Sequence, residues 1–354
     1  MASDVFFSPL DNKKFISPLN KITRLLEKCN IKDKFKKNDI IALKVHFGEF
    51  GNTSFVRPIF LRPVIESLKE IGAKPFLTDT NTLYIGMRSN SVDHLHNAAL
   101  NGFNYSTLQV PVIIADGIRG DNVIEYEVDF PMLKKIMIAS DIYNSDGMIV
   151  VSHFKAHELS GIGGAIKNVA MGCGGRRGKY DMHSDAKPKV AAKECTSCGK
   201  CIKSCQVKAI EMKNKAFITE RCVGCGRCIA VCPEQAIKVD WNSTSDSVQK
   251  KMMEYSFGIQ KALNSKITYI NIMTQMSPAC DCYGGNDRPM APDVGFLSSN
   301  DPVALDKACY DLLLKEAGKD PIKDVYPELN TLTQFDYAEE LGFGSTEYRL
   351  VSVE

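Results

Sequence analysis

Short unbroken apolar runs alternate along this chain with stretches whose apolar residues recur every three or four positions. Residues 39–46, 76–79, 112–117, 148–152 and 267–273 read as strands buried on both faces. Between them, residues 57–71 place Ile59, Leu61, Val64, Ile65, Leu68 and Ile71 near helical spacing, and Gly72 closes that helix. Residues 92–100 predict a helix stopped by Asn101 and Gly102, and a short helix through Ile166 and Val169 follows a glycine-rich turn. Asp301 and Pro302 open a further helix, Asp301 as its cap. Strands alternating with helices predict an α/β fold with a mainly parallel sheet and flanking helices. A cysteine-rich segment interrupts this pattern. The α/β domain is therefore expected in two pieces, 1–186 and 241–354, with 187–240 inserted between them.

The insert is a duplication. Cys195, Cys198, Cys201 and Cys205 repeat 27 residues later as Cys222, Cys225, Cys228 and Cys232, and Ala209-Ile210 is echoed by Ala236-Ile237. Both runs read C-x2-C-x2-C-x3-C, the bacterial ferredoxin pattern for two [4Fe–4S] clusters, in which the fourth cysteine of each run ligates the other cluster. By that rule one cluster takes Cys195, Cys198, Cys201 and Cys232, and the second takes Cys222, Cys225, Cys228 and Cys205. Three thiolates within seven residues wrap one cubane when Gly199 and Gly226 let backbone N–H groups approach the sulfurs. Zinc modules usually separate their two cysteine pairs by a longer loop. An inserted α+β ferredoxin-like domain is expected. Cys205 is followed by Gln206, whereas Cys232 is followed by Pro233, so the shape of the first loop is the open point.

Composition narrows the class. The 354 residues carry 44 Lys+Arg and 42 Asp+Glu, a net charge of +2 that excludes a strong pull toward nucleic acid or a membrane surface. The apolar share of 44% and charged share of 24% are those of a globular chain. The longest apolar runs, such as 148–151, fall far short of the ~20 residues that span a bilayer, and residues 1–5 lack the pattern of a secretory signal. A reduced, cytoplasmic setting is expected, where eight of 13 cysteines crowded into 38 residues mean metal ligands rather than disulfides. Residues 187–240 hold 11 Lys/Arg against 5 Asp/Glu. This surplus reads either as a docking face for an acidic electron carrier or as compensation for negatively charged iron–thiolate clusters.

The host domain carries the less certain chemistry. Parallel strands end on one edge, where ligands bind. Lys44 and His46 close the first strand, Asp79 the second, and His153, Lys155 and His157 the fourth, each basic set at spacing two along one strand face. Lys44, His46, Lys155 and Lys167 are candidate ligands for a small anion, joined by Arg177. His153 or His157 is the candidate proton donor, since histidine titrates near neutral pH. Residues 161–168 read as a glycine-rich helix start with exposed N–H groups for an anion, but match neither a dinucleotide fingerprint nor a P-loop. Cys173, beside Arg176 and Arg177, is expected to have a lowered pKa. With Cys280 and Cys282 it forms a candidate third iron–sulfur or metal centre; free buried thiols are the alternative.

The motifs VHFGE at 45–49, TDTNTLY at 78–84, IADGIRG at 114–120, SHFKAHE at 152–158, AIKN at 165–168, MGC at 171–173, CDC at 280–282 and DPVALD at 301–306 resemble the domain of unknown function 362 family. The resemblance covers nearly the whole chain. It implies a cytoplasmic iron–sulfur protein of bacteria or archaea, often anaerobic, and implies no particular reaction. The leading expectation is a redox enzyme. Two clusters would receive electrons from an external ferredoxin- or flavodoxin-type carrier and pass them to a small anionic substrate in the α/β crevice. The rivals are a non-catalytic electron-transfer adaptor and a protein of metal or cluster assembly.

Overall fold

The computed structural model describes residues 2–10, 15–184, 187–239 and 244–353. The expected domain boundaries at 186, 240 and 241 and the chain ends at 1 and 354 lie outside them. The strands are, in chain order, β1 (Ser3–Pro9), β2 (Ile40–Val45), β3 (Lys74–Asp79), β4 (Val112–Ile114), β5 (Val123–Glu127), β6 (Lys135–Ala139), β7 (Gly147–His153), β8 (Lys155–His157), β9 (Gly161–Gly163), β10 (Lys189–Val190), β11 (Ile210–Met212), β12 (Ala216–Ile218), β13 (Ile237–Lys238), β14 (Ile267–Met273), β15 (Gly295–Ser299) and β16 (Tyr348–Ser352).

Eight of them form one sheet in the order β16-β1-β15-β14-β7-β2-β3-β4. Five of its seven pairings are parallel; β15 runs antiparallel to both β1 and β14. The fold is thus mixed α/β with a mainly parallel central sheet and helices on both faces. Alternation along β7 shows why its run is unbroken. Met148 and Val150 point into one core, with the helices Ala165–Cys173, Ser245–Ala262 and Pro302–Ala317; Ile149 and Val151 point into the other, with Pro18–Lys28 and Arg62–Ile71. Burial on both faces selects apolar side chains along residues 148–151. Asp301 caps its helix as expected, accepting from the N–H groups of Val303 and Ala304 at 2.9 and 3.1 Å.

Two expectations need correction. The chain leaves the sheet at Phe154, so His153 ends β7 while Lys155 and His157 belong to β8, which pairs with β9 in a hairpin. They do not share one continuing strand. The glycine-rich helix start is not an open anion site either. The buried Asp306 carboxylate already accepts from the N–H groups of Ala165 and Ile166, at 2.8 and 3.0 Å. A second anion there would face a carboxylate.

Residues 187–239 are built differently. They contain two two-stranded sheets, β10 with β13 and β11 with β12, and two five-residue helices, Lys200–Ser204 and Arg227–Val231. Their buried interior is small: Cys201, Ile210, Ala216, Cys228, Ile229 and Ile237, joined by Leu83 and Tyr180 from the host. The duplication is visible in the backbone. Gly199 and Gly226 precede the two helices at φ 73° and 67°, and Cys205 and Cys232 follow them at φ/ψ −80°/102° and −78°/110°. Gln206 in place of proline leaves the conformation of Cys205 matched to that of Cys232. Among the described residues no helix is long and apolar enough to cross a membrane.

Candidate functional site

The eight cysteines of the two runs separate into two groups of four. Cys195, Cys198, Cys201 and Cys232 line one small cavity; Cys205, Cys222, Cys225 and Cys228 line another. The fourth cysteine of each run thus crosses to the other group, and all eight are unpaired thiols. Backbone N–H groups reach the sulfurs in matching places: Ala209 N–H donates to Cys205 Sγ and Ala236 N–H to Cys232 Sγ, both at 3.2 Å. Arg176 adds a further sign. It is fully buried, and its Nη1 has no hydrogen-bond partner among the described residues. Its aliphatic stem lies at the second group, because a methyl at Gly226 would sit 3.1 Å from Arg176 Cγ. An orphaned guanidinium nitrogen and two crossed thiol quartets fit negatively charged iron–sulfur clusters.

The second group also abuts a large cavity. Leu83 touches Gly226, with Cδ1 3.1 Å from where a methyl would lie, and Leu83 lines a cavity of about 720 Å³ at the carboxyl ends of β2, β3, β7 and β14. Lys44, His46, His153, Lys155, His157 and Lys167 all line this cavity, and so do Cys280 and Cys282. The sheet edge collects them, as strand polarity demands.

Their individual surroundings differ sharply. Lys44 is fully buried, 3.0 Å from Asp79 and 2.6 Å from Asn168 Oδ1. Burial works to raise the Asp79 carboxyl, but Lys44, His94 and Arg88 prevail and hold it below its ordinary value. Lys155 is 2.9 Å from Asp281, whose other oxygen meets His153 Nδ1 at 2.8 Å. His153 Nε2 faces the Thr274 carbonyl at 3.0 Å, so both ring nitrogens are committed to acceptors. His46 is held neutral, first by burial and then by Arg88; its Nδ1 accepts from the Gly48 N–H at 3.0 Å, and its Nε2 is covered by Arg88 Nη1, 2.8 Å away. Neither ring presents a spare proton to the cavity. His157 does. Its Nδ1 accepts from the N–H groups of Leu159 and Ser160 at 3.1 and 3.3 Å, which leaves the proton on Nε2. Burial, then Lys167, holds this ring neutral. Lys167 has no carboxylate within ion-pair distance among the described residues, and donates to Cys280 Sγ at 3.6 Å. Burial, with Lys155 second, brings its amine down to about 7.

Two predicted residues lie elsewhere. Cys173 is sealed in the core with its sulfur 3.8 Å from Met148 Sδ, and burial pushes its thiol up to about 12 rather than down. It shares no site with Cys280 and Cys282. Helical spacing held the signal: Ile166, Val169, Ala170 and Cys173 recur on one buried face. Arg177 does not line the cavity; it acts on the Asp181 carboxyl instead. Lys179, two residues on, takes the place expected of it and donates to Thr80 Oγ1 and the Gly174 carbonyl, both at 2.6 Å. Arg88, bonded to His46, Tyr84 and Glu49, was not foreseen, since it sits in a loop with no motif spacing.

Residues 41–311 match the family described as Domain of unknown function (DUF362). The chain belongs to this family. No curated protein matches the sequence. Among solved structures, this DUF362 chain is similar to the lactate racemase apoprotein from Thermoanaerobacterium thermosaccharolyticum, with 11% identity and a TM-score of 0.42 over 85% of this chain and 54% of that one. It is also similar to a structural-genomics target from Thermotoga maritima, with 9% identity and a TM-score of 0.44 over 85% and 59%. The chain thus spans less than two thirds of either protein.

Proposed function

We propose that this DUF362 protein is a cytoplasmic iron–sulfur redox enzyme that passes electrons from an inserted two-cluster domain, residues 187–240, to a small anion in the large cavity. One observation carries the reading: two crossed cysteine quartets, of which the second reaches the cavity wall through Leu83. Cys195, Cys198, Cys201 and Cys232 would hold one [4Fe–4S] cluster and Cys222, Cys225, Cys228 and Cys205 the other. When bound, these clusters supply one-electron transfer at low potential. The electrons would come from a ferredoxin- or flavodoxin-type carrier.

The chain's own residues divide the remaining work. Lys167 attracts the anion, because Lys44 and Lys155 are already paired with Asp79 and Asp281. His157 directs its Nε2 proton inward and orients an acceptor oxygen. Asp281 fixes His153 and Lys155 together and anchors the loop that carries Cys280 and Cys282.

The test is metal analysis of protein purified without oxygen, joined to electron-paramagnetic-resonance spectra after dithionite reduction. About eight iron and eight acid-labile sulfide per chain are expected, with signals that change when a small anion is added. A colourless protein containing zinc would overturn the reading.

A further inference from the structure

Cys280 and Cys282 are joined as a disulfide across a single residue, with Cα atoms 5.1 Å apart, on the wall of the cavity. With His157 they form a compact trio whose potential ligand atoms all lie within 4.8 Å of one another. A metal ion is the first thought for such a trio. The histidine argues against it. A neutral imidazole that ligates through Nε2 must carry its proton on Nδ1, yet Nδ1 here accepts from two backbone N–H groups. His157 is built as a donor. The sulfurs have a different neighbour, the Lys167 amine, 3.6 Å from Cys280 Sγ. The Cys282 N–H also points at Cys280 Sγ, at 3.4 Å. Two donors therefore converge on one sulfur, an arrangement that stabilises a thiolate once the S–S bond opens.

We propose that Cys280 and Cys282 form a redox-active disulfide that stores two electrons beside the anion site. The inference deepens the reading above and rests on it for the electron source. One-electron carriers deliver singly, while reduction of a closed-shell anion takes electrons in pairs. In the forward step the S–S bond accepts two electrons from the low-potential carrier and breaks. Two protons complete two thiols: Lys167 gives one to Cys280 and is reprotonated from solvent through the cavity, and solvent in the cavity gives the other to Cys282. In the return step the dithiol yields two electrons and two protons to a bound oxidised substrate, and the S–S bond re-forms. Asp281, held by His153 and Lys155, keeps both cysteines in place through the cycle.

The experiment uses the full chain with its iron, purified without oxygen. Samples are oxidised, or reduced with measured dithionite, then acid-quenched, alkylated with N-ethylmaleimide and read by peptide mass spectrometry. Cys280 and Cys282 should escape alkylation when oxidised and both be modified when reduced. A Cys282→Ser variant should keep the iron content of the parent and take up two fewer electrons per chain. Two free thiols in the oxidised protein would overturn the proposal even if the clusters are present. So would a tightly held non-cluster metal that Cys282→Ser releases. An iron-free protein whose pair still opens with dithiothreitol and closes on oxidation would support the disulfide while removing the proposed function.

Discussion

The central sheet and the cysteine-rich segment solve the problem of stability in opposite ways. The sheet is covered on both faces. Its strands bury an unbroken apolar run, and two large cores flank it. Residues 187–239 have no such cover: two ribbons of two or three residues and two five-residue helices enclose a handful of apolar side chains among the cysteines. A module that small seldom folds on burial alone and needs a staple. The contrast teaches that the two regions should respond independently to loss of metal and to loss of a core contact.

The sharpest way to break the comparison is to treat the protein with a chelator and an oxidant, which would strip the proposed iron. Ligand binding to such a module is folding free energy. Residues 187–239 should then open, and limited proteolysis within them should accelerate by roughly a hundredfold or more, as expected for a loss of about 3 kcal/mol. The far-ultraviolet circular dichroism of the host should barely change. Equal protection before and after stripping would show that the segment stands on its own core.

The converse experiment strikes only the host. Asp79→Ala leaves the fully buried Lys44 without its carboxylate. Removing one partner of a buried pair costs about 3–5 kcal/mol. Denaturant unfolding should register that loss while iron content stays at the parent value. Acid adds a signature with a definite sign. The Asp79 carboxyl sits below its unfolded value, so its contribution is present above the ordinary carboxylate range and is lost as pH falls through the folded value. The variant should therefore lose less stability on acidification than the parent.

The two regions were also unequally legible. β2, β3, β7 and β14 were readable because strands buried on both faces carry mostly apolar runs, with polar residues gathered toward their ends. β1 and β16 were missed because half-buried and exposed residues break the apolar run at that end of the sheet. The cysteine quartets could be grouped from the spacing and the ferredoxin pattern, in which three thiols of a run are local and the fourth crosses to the other run. The cavity was different. That basic residues gather at one edge follows from strand polarity, but that Lys44 meets Asp79, or that Arg88 reaches His46, depends on which strands and loops become neighbours. Cys173 was misplaced for a similar reason: Arg176 and Arg177 follow three and four residues after it in sequence, while its neighbours in space are apolar.

A smaller effect sharpens the boundary between cavity and core. Lys167 is cationic below its value of about 7 and neutral above it. A bound anion favours the cation, so binding takes up a proton and affinity falls as pH rises through 7. Calorimetric titration with sulfate, whose own charge is constant across this range, should show roughly a tenfold loss between pH 6 and 8, near the low end for close charge pairs. Lys167→Met should bind weakly at both values and lose the slope. A slope that survives the substitution would move the titrating group elsewhere, with Lys179, at about 8, the next candidate.

The smallest expected effect lies at the seam between the two regions. Arg176 belongs to the host helix Arg176–His183, yet its stem packs on Gly226 and its charge acts on Cys225 and Cys228. A buried positive charge favours the more negative, reduced form of a neighbouring centre. Arg176→Gln should therefore lower the reduction potential of the cluster proposed at the second quartet by a few tens of millivolts, less than the ~59 mV that corresponds to a tenfold change for one electron. The potential of the cluster proposed at the other quartet should not move. Arg176→Lys keeps the charge and should restore most of the shift, which separates an electrostatic effect from the loss of the hydrogen bonds that Arg176 makes to the Arg119 and Ser89 carbonyls. Redox titration followed by electron paramagnetic resonance resolves the two centres. If glutamine and lysine shift both potentials alike, the guanidinium acts on the fold of the seam and not on one cluster.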